Sequence, residues 1–187
     1  SAAGAVGSLV IQVAKSAGAQ VIGLVGGEHK FEFVEQFGPD AVIDYLRDDW
    51  PDGVKALTGG RGADVIFDPV GGDVFDESMR CINTDGRLLT IGFTSGQWPR
   101  AAVNLILIKQ LSVIGVRAGE YGRTYPEKGK QNARAVYELA DTGKIKPYVC
   151  KAFPLTEAVS AMQMLASREV VGRCVVTMNG YSMTSSD

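Results

Sequence analysis

Ala2-Ala3-Gly4-Ala5-Val6-Gly7 decides how this chain is read, because its small residues run directly into a helical pattern. Val6, Leu9, Val10, Val13, Ala14 and Ala17 recur at helical intervals, which predicts a helix burying that stripe and stopping at Gly18. The spacing Ala2-x-Gly4-x-x-Gly7 is the glycine pattern of a dinucleotide-binding turn, with Ala in the first place. At such a turn the second glycine lets backbone approach a pyrophosphate, and the third lets helix and strand pack closely. The open N–H groups at a helix start favour negative charge. A turn needed only for packing would use the same small residues. A strand about 20 residues further on, where the pattern requires one, favours the dinucleotide.

Outward from that turn, strands and helices alternate. Strands are predicted at 20–25, 41–44, 63–68, 87–91 and 111–116, with helical stretches at 28–37, 49–58, 73–82, 105–108 and 128–142. Alternation of this kind implies right-handed βαβ units, hence an α/β fold with a doubly wound parallel sheet. The strands are nearly continuous apolar runs, as expected where both faces of a sheet are covered. From Ile145 the grammar changes to a strand at 149–153, a helix at 155–166 and a strand at 173–178; residues 179–187 are polar and expected to fray.

Composition removes several function classes. The chain has 187 residues, 45% hydrophobic and 21% charged, enough to form a core and too apolar for wholesale disorder. Lys and Arg total 19 against 21 Asp and Glu, so no basic excess exists to neutralise a nucleic-acid backbone. No apolar run reaches the ~20 residues of a membrane helix. Cys81, Cys150 and Cys174 form no CxxC pair and are odd in number, which disfavours a disulfide framework or zinc knuckle and fits a reducing compartment, cytoplasmic or mitochondrial matrix. His29 is the only histidine, so no two-histidine metal motif is present and no metal ligand is assigned. Ser1 opens abruptly inside a motif with neither a basic nor an apolar leader, and the expectation is a piece of a longer protein lacking the first strand of the fold.

The strand at 20–25 ends in Gly26-Gly27 where an NAD site places Asp or Glu on the ribose. A 2′-phosphate would meet no carboxylate at that tip, and Lys30 just beyond it can pair with one, which favours NADP. Glu28 facing the ribose, or Lys30 as an ordinary solvated lysine, stay open. Tyr45 follows the strand at 41–44 and either covers an adenosine or caps the strand. Val70, in Asp68-Pro69-Val70-Gly71-Gly72, and the run Ile91-Gly92-Phe93 fall at carboxyl strand ends, where ligands of open α/β sheets sit, so their backbone is a candidate nicotinamide contact; the glycines read equally as turn residues. No catalytic side chain is assigned. Asp64, Asp68, Asp73 and Asp76 read as strand-end or helix-start carboxylates, and Ser78 and Ser95 have no histidine partner.

These residues, with Val21-Ile22-Gly23, Gly38, Val42-Ile43-Asp44-Tyr45 and Gly86-Arg87-Leu88, resemble the medium-chain dehydrogenase/reductase superfamily. The stretch 71–116, with Gly72-Asp73-Val74-Phe75 and Asn104-Leu105, is similar to its zinc-independent quinone oxidoreductase branch; the likeness spans about residues 1–178. The resemblance implies an NADP-binding Rossmann domain at 1–144, a return segment of a GroES-like catalytic domain at 145–178, and a tail at 179–187. It places the pyrophosphate turn at Gly4, Ala5 and Val6, the 2′-phosphate at Gly26, Lys30 and Tyr45, and nicotinamide-side contacts at Val70, Gly92 and Phe93. Ala5 stands where a second glycine is frequent, and Glu28 and His29 where small or polar residues are usual. The implied activity is hydride transfer from NADPH to a small-molecule acceptor, a quinone or α,β-unsaturated carbonyl, with this piece mainly binding cofactor. The implied assembly is a homodimer pairing the run from Leu111 to Val116. A zinc-type alcohol dehydrogenase and a dinucleotide-binding module without turnover are the rivals.

Overall fold

The computed structural model describes residues 2–167 and 170–178; the expected tail at 179–187 lies outside them. The chain falls into two compact units, Ser1–Val42 with Glu138–Asp187, and Ile43–Tyr137. The expected domain border at 144/145 lies inside the first unit.

The first unit opens with α1 (Ala5–Ser16), followed by β1 (Ile22–Val25), a 3-10 turn at Glu28–Lys30, α2 (Phe31–Glu35) and the start of β2 (Ala41–Asp44), which pairs with β1. α1 is not phased as the sequence predicts. It buries Ser8 and Ile11, while Val6 is 59% exposed and Val13 40%. Apolar residues occupy most of its circumference, so several faces compete and spacing alone does not choose between them. Its core is Ala2, Ala3, Ile11, Val25 and Val34, flanked by Phe31, Phe33 and Phe37. Asp40 joins the ends of two elements: its carboxylate takes Lys15 Nζ at 2.8 Å and the Val21 N–H at 2.7 Å. Those partners hold its carboxyl below the usual range, the lysine hydrogen bond contributing most. Residues far apart in sequence close this unit. The end of α7 (Pro126–Asp141) leads to β6 (Val149–Pro154), a 3-10 turn, α8 (Ala158–Ala166) and β7 (Arg173–Thr177), with β6 and β7 parallel. Gly4 bridges Gly172, and Gln12 exchanges hydrogen bonds with the Lys146 backbone at 3.1 and 2.7 Å.

The second unit contains α3 (Trp50–Leu57), β3 (Ala63–Asp68), α4 (Asp73–Cys81), β4 (Ile82–Thr90), α5 (Val103–Lys109), β5 (Ser112–Gly115), α6 (Ala118–Thr124) and most of α7. β3, β4 and β5 form a parallel sheet in chain order, with Phe67 opposite Leu89 and Leu89 opposite Ile114. Phe75, Met79, Ile82, Leu88 and Leu111 are its core. The fold is therefore α/β with parallel sheets.

Three expectations need correction. β4 begins at Ile82 rather than 87, because Ile82 pairs with Ala63 before a register shift, and Asp85 at φ +60° makes the turn that the polar run suggested was loop. β5 is not fully covered on either face, with Val113 36% and Ile114 38% exposed, and among the described residues it is the last strand of its sheet. α6 was not predicted, because Gly119 and Gly122 are poor helix formers. It forms where Gly122 meets Gly129: a Cβ on Gly129 would lie 2.8 Å from Gly122 Cα. Tyr121 packs on Tyr125, with Lys128 over the Tyr125 ring.

Candidate functional site

The ten candidate residues divide between the two units. Gly4, Ala5, Val6, Gly26 and Lys30 belong to the first; Tyr45, Val70, Ile91, Gly92 and Phe93 belong to the second.

In the first unit, Gly4 caps α1 in extended backbone (φ −82°, ψ 171°) with no side-chain cap and no acidic residue in the first turn. The first backbone bond into this helix is Ser8 N–H to the Gly4 carbonyl at 3.0 Å; the Ala5 N–H faces the Gly172 carbonyl across the Gly4–Gly172 bridge, and the N–H groups of Val6 and Gly7 have no acceptor among the described residues. Two open donors at the positive end of a 12-residue helix suit a diphosphate in both charge and chemistry. Beyond β1, Gly26-Gly27 leads into the 3-10 turn, whose last residue is Lys30. Lys30 is half-buried, and its ammonium has no ion pair among the described residues. The helix expected at 28–37 is thus a 3-10 turn plus the short α2, with Lys30 at their junction.

In the second unit, Tyr45 follows β2 and is 45% exposed, while Asp44 before it is buried and accepts the Leu46 N–H at 3.0 Å. At the carboxyl end of β3, Asp68 is 1% exposed. Its Oδ1 accepts the N–H groups of Val70 (2.8 Å) and Gly71 (3.0 Å). The loop after β4 is tied to that turn. The Val70 carbonyl accepts from the Ser95 N–H at 3.1 Å and the Ser95 hydroxyl at 2.8 Å, and the Pro69 carbonyl accepts from Thr94 N–H at 3.1 Å. Gly71 is at φ +70°, and a Cβ there would lie 2.8 Å from the Phe93 ring. Both polar groups of Val70 are therefore engaged within the chain. The Ile91 N–H is held by the Asp68 carbonyl at 2.8 Å and the Phe93 carbonyl by Gly96 N–H at 2.9 Å. The Ile91 carbonyl, both groups of Gly92 and the Phe93 N–H have no partner among the described residues. The sequence reading missed Asp68 and Ser95 as organisers. An Asp two and three residues before the N–H groups it accepts is the signature of an Asx turn, and it was visible in Asp68-Pro69-Val70-Gly71.

A cavity of about 180 Å³ lined by Lys55, Arg61, Arg80 and Lys109, among others, contains none of the ten residues. Among the described residues no group of three or more His, Cys, Asp or Glu is placed to hold a metal, and no helix is long and apolar enough to cross a membrane.

The family model described as zinc-binding dehydrogenase matches residues 5–133. A quinone oxidoreductase-like protein 2 homolog of Nematostella vectensis is 36% identical over 177 residues, covering 94% of this chain and 48% of the relative. A quinone oxidoreductase of Pseudomonas aeruginosa is 35% identical over 178 residues, covering 94% and 54%. The crystal structure of Escherichia coli quinone oxidoreductase complexed with NADPH superposes with a TM-score of 0.83 at 30% identity, covering 94% of this chain and 55% of that one. The chain thus spans about half the length of these relatives.

Proposed function

This chain belongs to the zinc-binding dehydrogenase family, within the quinone oxidoreductase-like branch of the medium-chain dehydrogenases/reductases, and from that premise we propose that it is the NADP-binding part of an NADPH-dependent oxidoreductase. The observation that carries this reading is the start of α1, where the Val6 and Gly7 backbone donors stand open behind a turn of small residues. Lys30 supports NADP over NAD, since it lies just past a strand tip that ends in glycines and has no ion pair among the described residues. The described residues offer no donor set for zinc.

When bound, a reduced nicotinamide supplies a hydride, here to a quinone or an α,β-unsaturated carbonyl. The chain's own residues bind and orient. The turn at Gly4 and Ala5 would receive the diphosphate on the N–H groups of Val6 and Gly7, with Lys30 taking the 2′-phosphate and Tyr45 the adenosine. Ile91, Gly92 and Phe93 would fix the nicotinamide half through backbone, and Val70 would contribute only its side chain there. The same reading divides the parent protein at about residue 144, with 145–178 returning to the catalytic domain. A second copy would pair along β5, whose outer edge has no strand partner among the described residues and whose residues are exposed. Cys81, Cys150 and Cys174 are all free, which supports a reducing compartment.

Titration of the chain with NADPH and NADH tests the cofactor assignment, with tighter binding of NADPH expected. Equal affinities would remove the NADP preference, and failure of both to bind would remove the cofactor site. Oxidation of NADPH by the full-length protein with a quinone acceptor tests the activity; cofactor binding without turnover would favour a binding module.

A further inference from the structure

The loops at the carboxyl ends of β3 and β4 are fastened by a side chain outside the proposed cofactor contacts. Asp68 fixes the first loop from within, through Val70 and Gly71. Its other oxygen, Oδ2, is buried with no hydrogen-bond partner among the described residues. An unsatisfied buried carboxylate oxygen is costly, so this turn is held at the expense of stability, a pattern that favours a positional role. Ser95 fixes the second loop to the first. Its hydroxyl donates to the Val70 carbonyl at 2.8 Å and accepts the Gln97 N–H at 3.2 Å. Together with its own N–H, Ser95 supplies two donors to that one carbonyl. The backbone groups left open lie between the two fastenings, at Ile91, Gly92 and Phe93. At Gly92 the loops are close enough that a Cβ would lie 3.4 Å from the Pro69 carbonyl oxygen.

We infer that Ser95 is a positioning residue for the nicotinamide half of the cofactor: without touching it, the hydroxyl holds the 91–93 backbone where its open groups can. The inference rests on the cofactor reading above and adds a division of labour to it. A side chain acting only here alters how the nicotinamide is held and leaves the adenosine half alone.

The test uses the whole chain with two ligands, NADPH and adenosine 2′,5′-bisphosphate, which lacks the nicotinamide. NADPH binding is followed by the emission of its reduced nicotinamide, bisphosphate binding by calorimetry. Ser95→Ala is expected to reduce the emission gain and to weaken NADPH about three- to tenfold, the scale of one lost hydrogen bond, with bisphosphate affinity unchanged. Ser95→Thr, which keeps the hydroxyl, restores the NADPH response. Equal weakening of both ligands, an unchanged NADPH response in Ser95→Ala, or a wild-type chain that binds NADPH without an emission change would each overturn the inference. A wild-type chain that binds neither ligand fails the cofactor reading itself, and the inference falls with it.

Discussion

Lys30 and Gly4 carry the sharpest consequences at the level of single residues. Lys30→Ala is expected to weaken NADPH by roughly 10- to 100-fold, the scale of one charge-assisted contact, and NADH far less, because only NADPH has the extra phosphate. Parallel titrations check this, and equal losses would take Lys30 off the 2′-phosphate. Gly4 has ordinary extended backbone, so Gly4→Val should leave the melting temperature nearly unchanged while abolishing binding of both nucleotides by filling the space over the α1 N–H groups. Gly71 differs, since its φ of +70° and its approach to Phe93 both oppose a side chain. Gly71→Ala should therefore cost about 1–3 kcal/mol in denaturant unfolding. Glycine positions were legible in the sequence because turn chemistry is local. The engagement of both Val70 polar groups was not, because Ser95 reaches Val70 from 25 residues away.

Elements were legible where periodicity and punctuation agreed. β2 and β3 have the bounds expected, and α3 differs only at its ends; Asp49 caps it through the Asp52 N–H at 3.4 Å, and Pro51 suits its first turn. What the sequence concealed was the phase of α1 and the existence of α6, both set by packing partners rather than by local preference. α4 shows how one element is finished by another. Its last carbonyls meet Lys109 Nζ from the end of α5, at 2.6 Å from Met79 O and 3.4 Å from Arg80 O. Lys109→Met should destabilise the chain by about 1–2 kcal/mol, since it withdraws a cation from the negative end of a helix. Cys81 closes α4 with its thiol buried, and burial pushes that thiol from 9.0 up to about 11. Below pH 9.0 it is neutral both folded and unfolded, so its contribution is complete. Between pH 9.0 and about 11 the unfolded chain ionises first, and stability falls. Unfolding measured across that range should slope less steeply in Cys81→Ala than in the wild type; identical slopes would show that the thiol is not protected.

At the level of the molecule, β5 is the feature most open to association. Val113 and Ile114 stand on the last strand of a three-stranded sheet, a surface that invites pairing with a second copy. Ile114→Lys should shift sedimentation from dimer toward monomer, and a wild-type chain that sediments as a monomer would end this reading. The α/β class was readable from the alternation alone, whereas the division into units was not, because it depends on contacts between distant segments. Ile43–Tyr137 is one uninterrupted stretch, but the other unit needs Gln12 to find Lys146 and Gly4 to find Gly172. Closing so long a loop is entropically slower than pairing neighbours in sequence. The kinetic order of maturation should therefore run against the order of the chain. In pulse-labelled refolding, the amides of Phe75 and Leu88 should become protected from exchange before those of Ile11 and Val25, so that the segment carrying the helix start proposed for the diphosphate is the last to become competent.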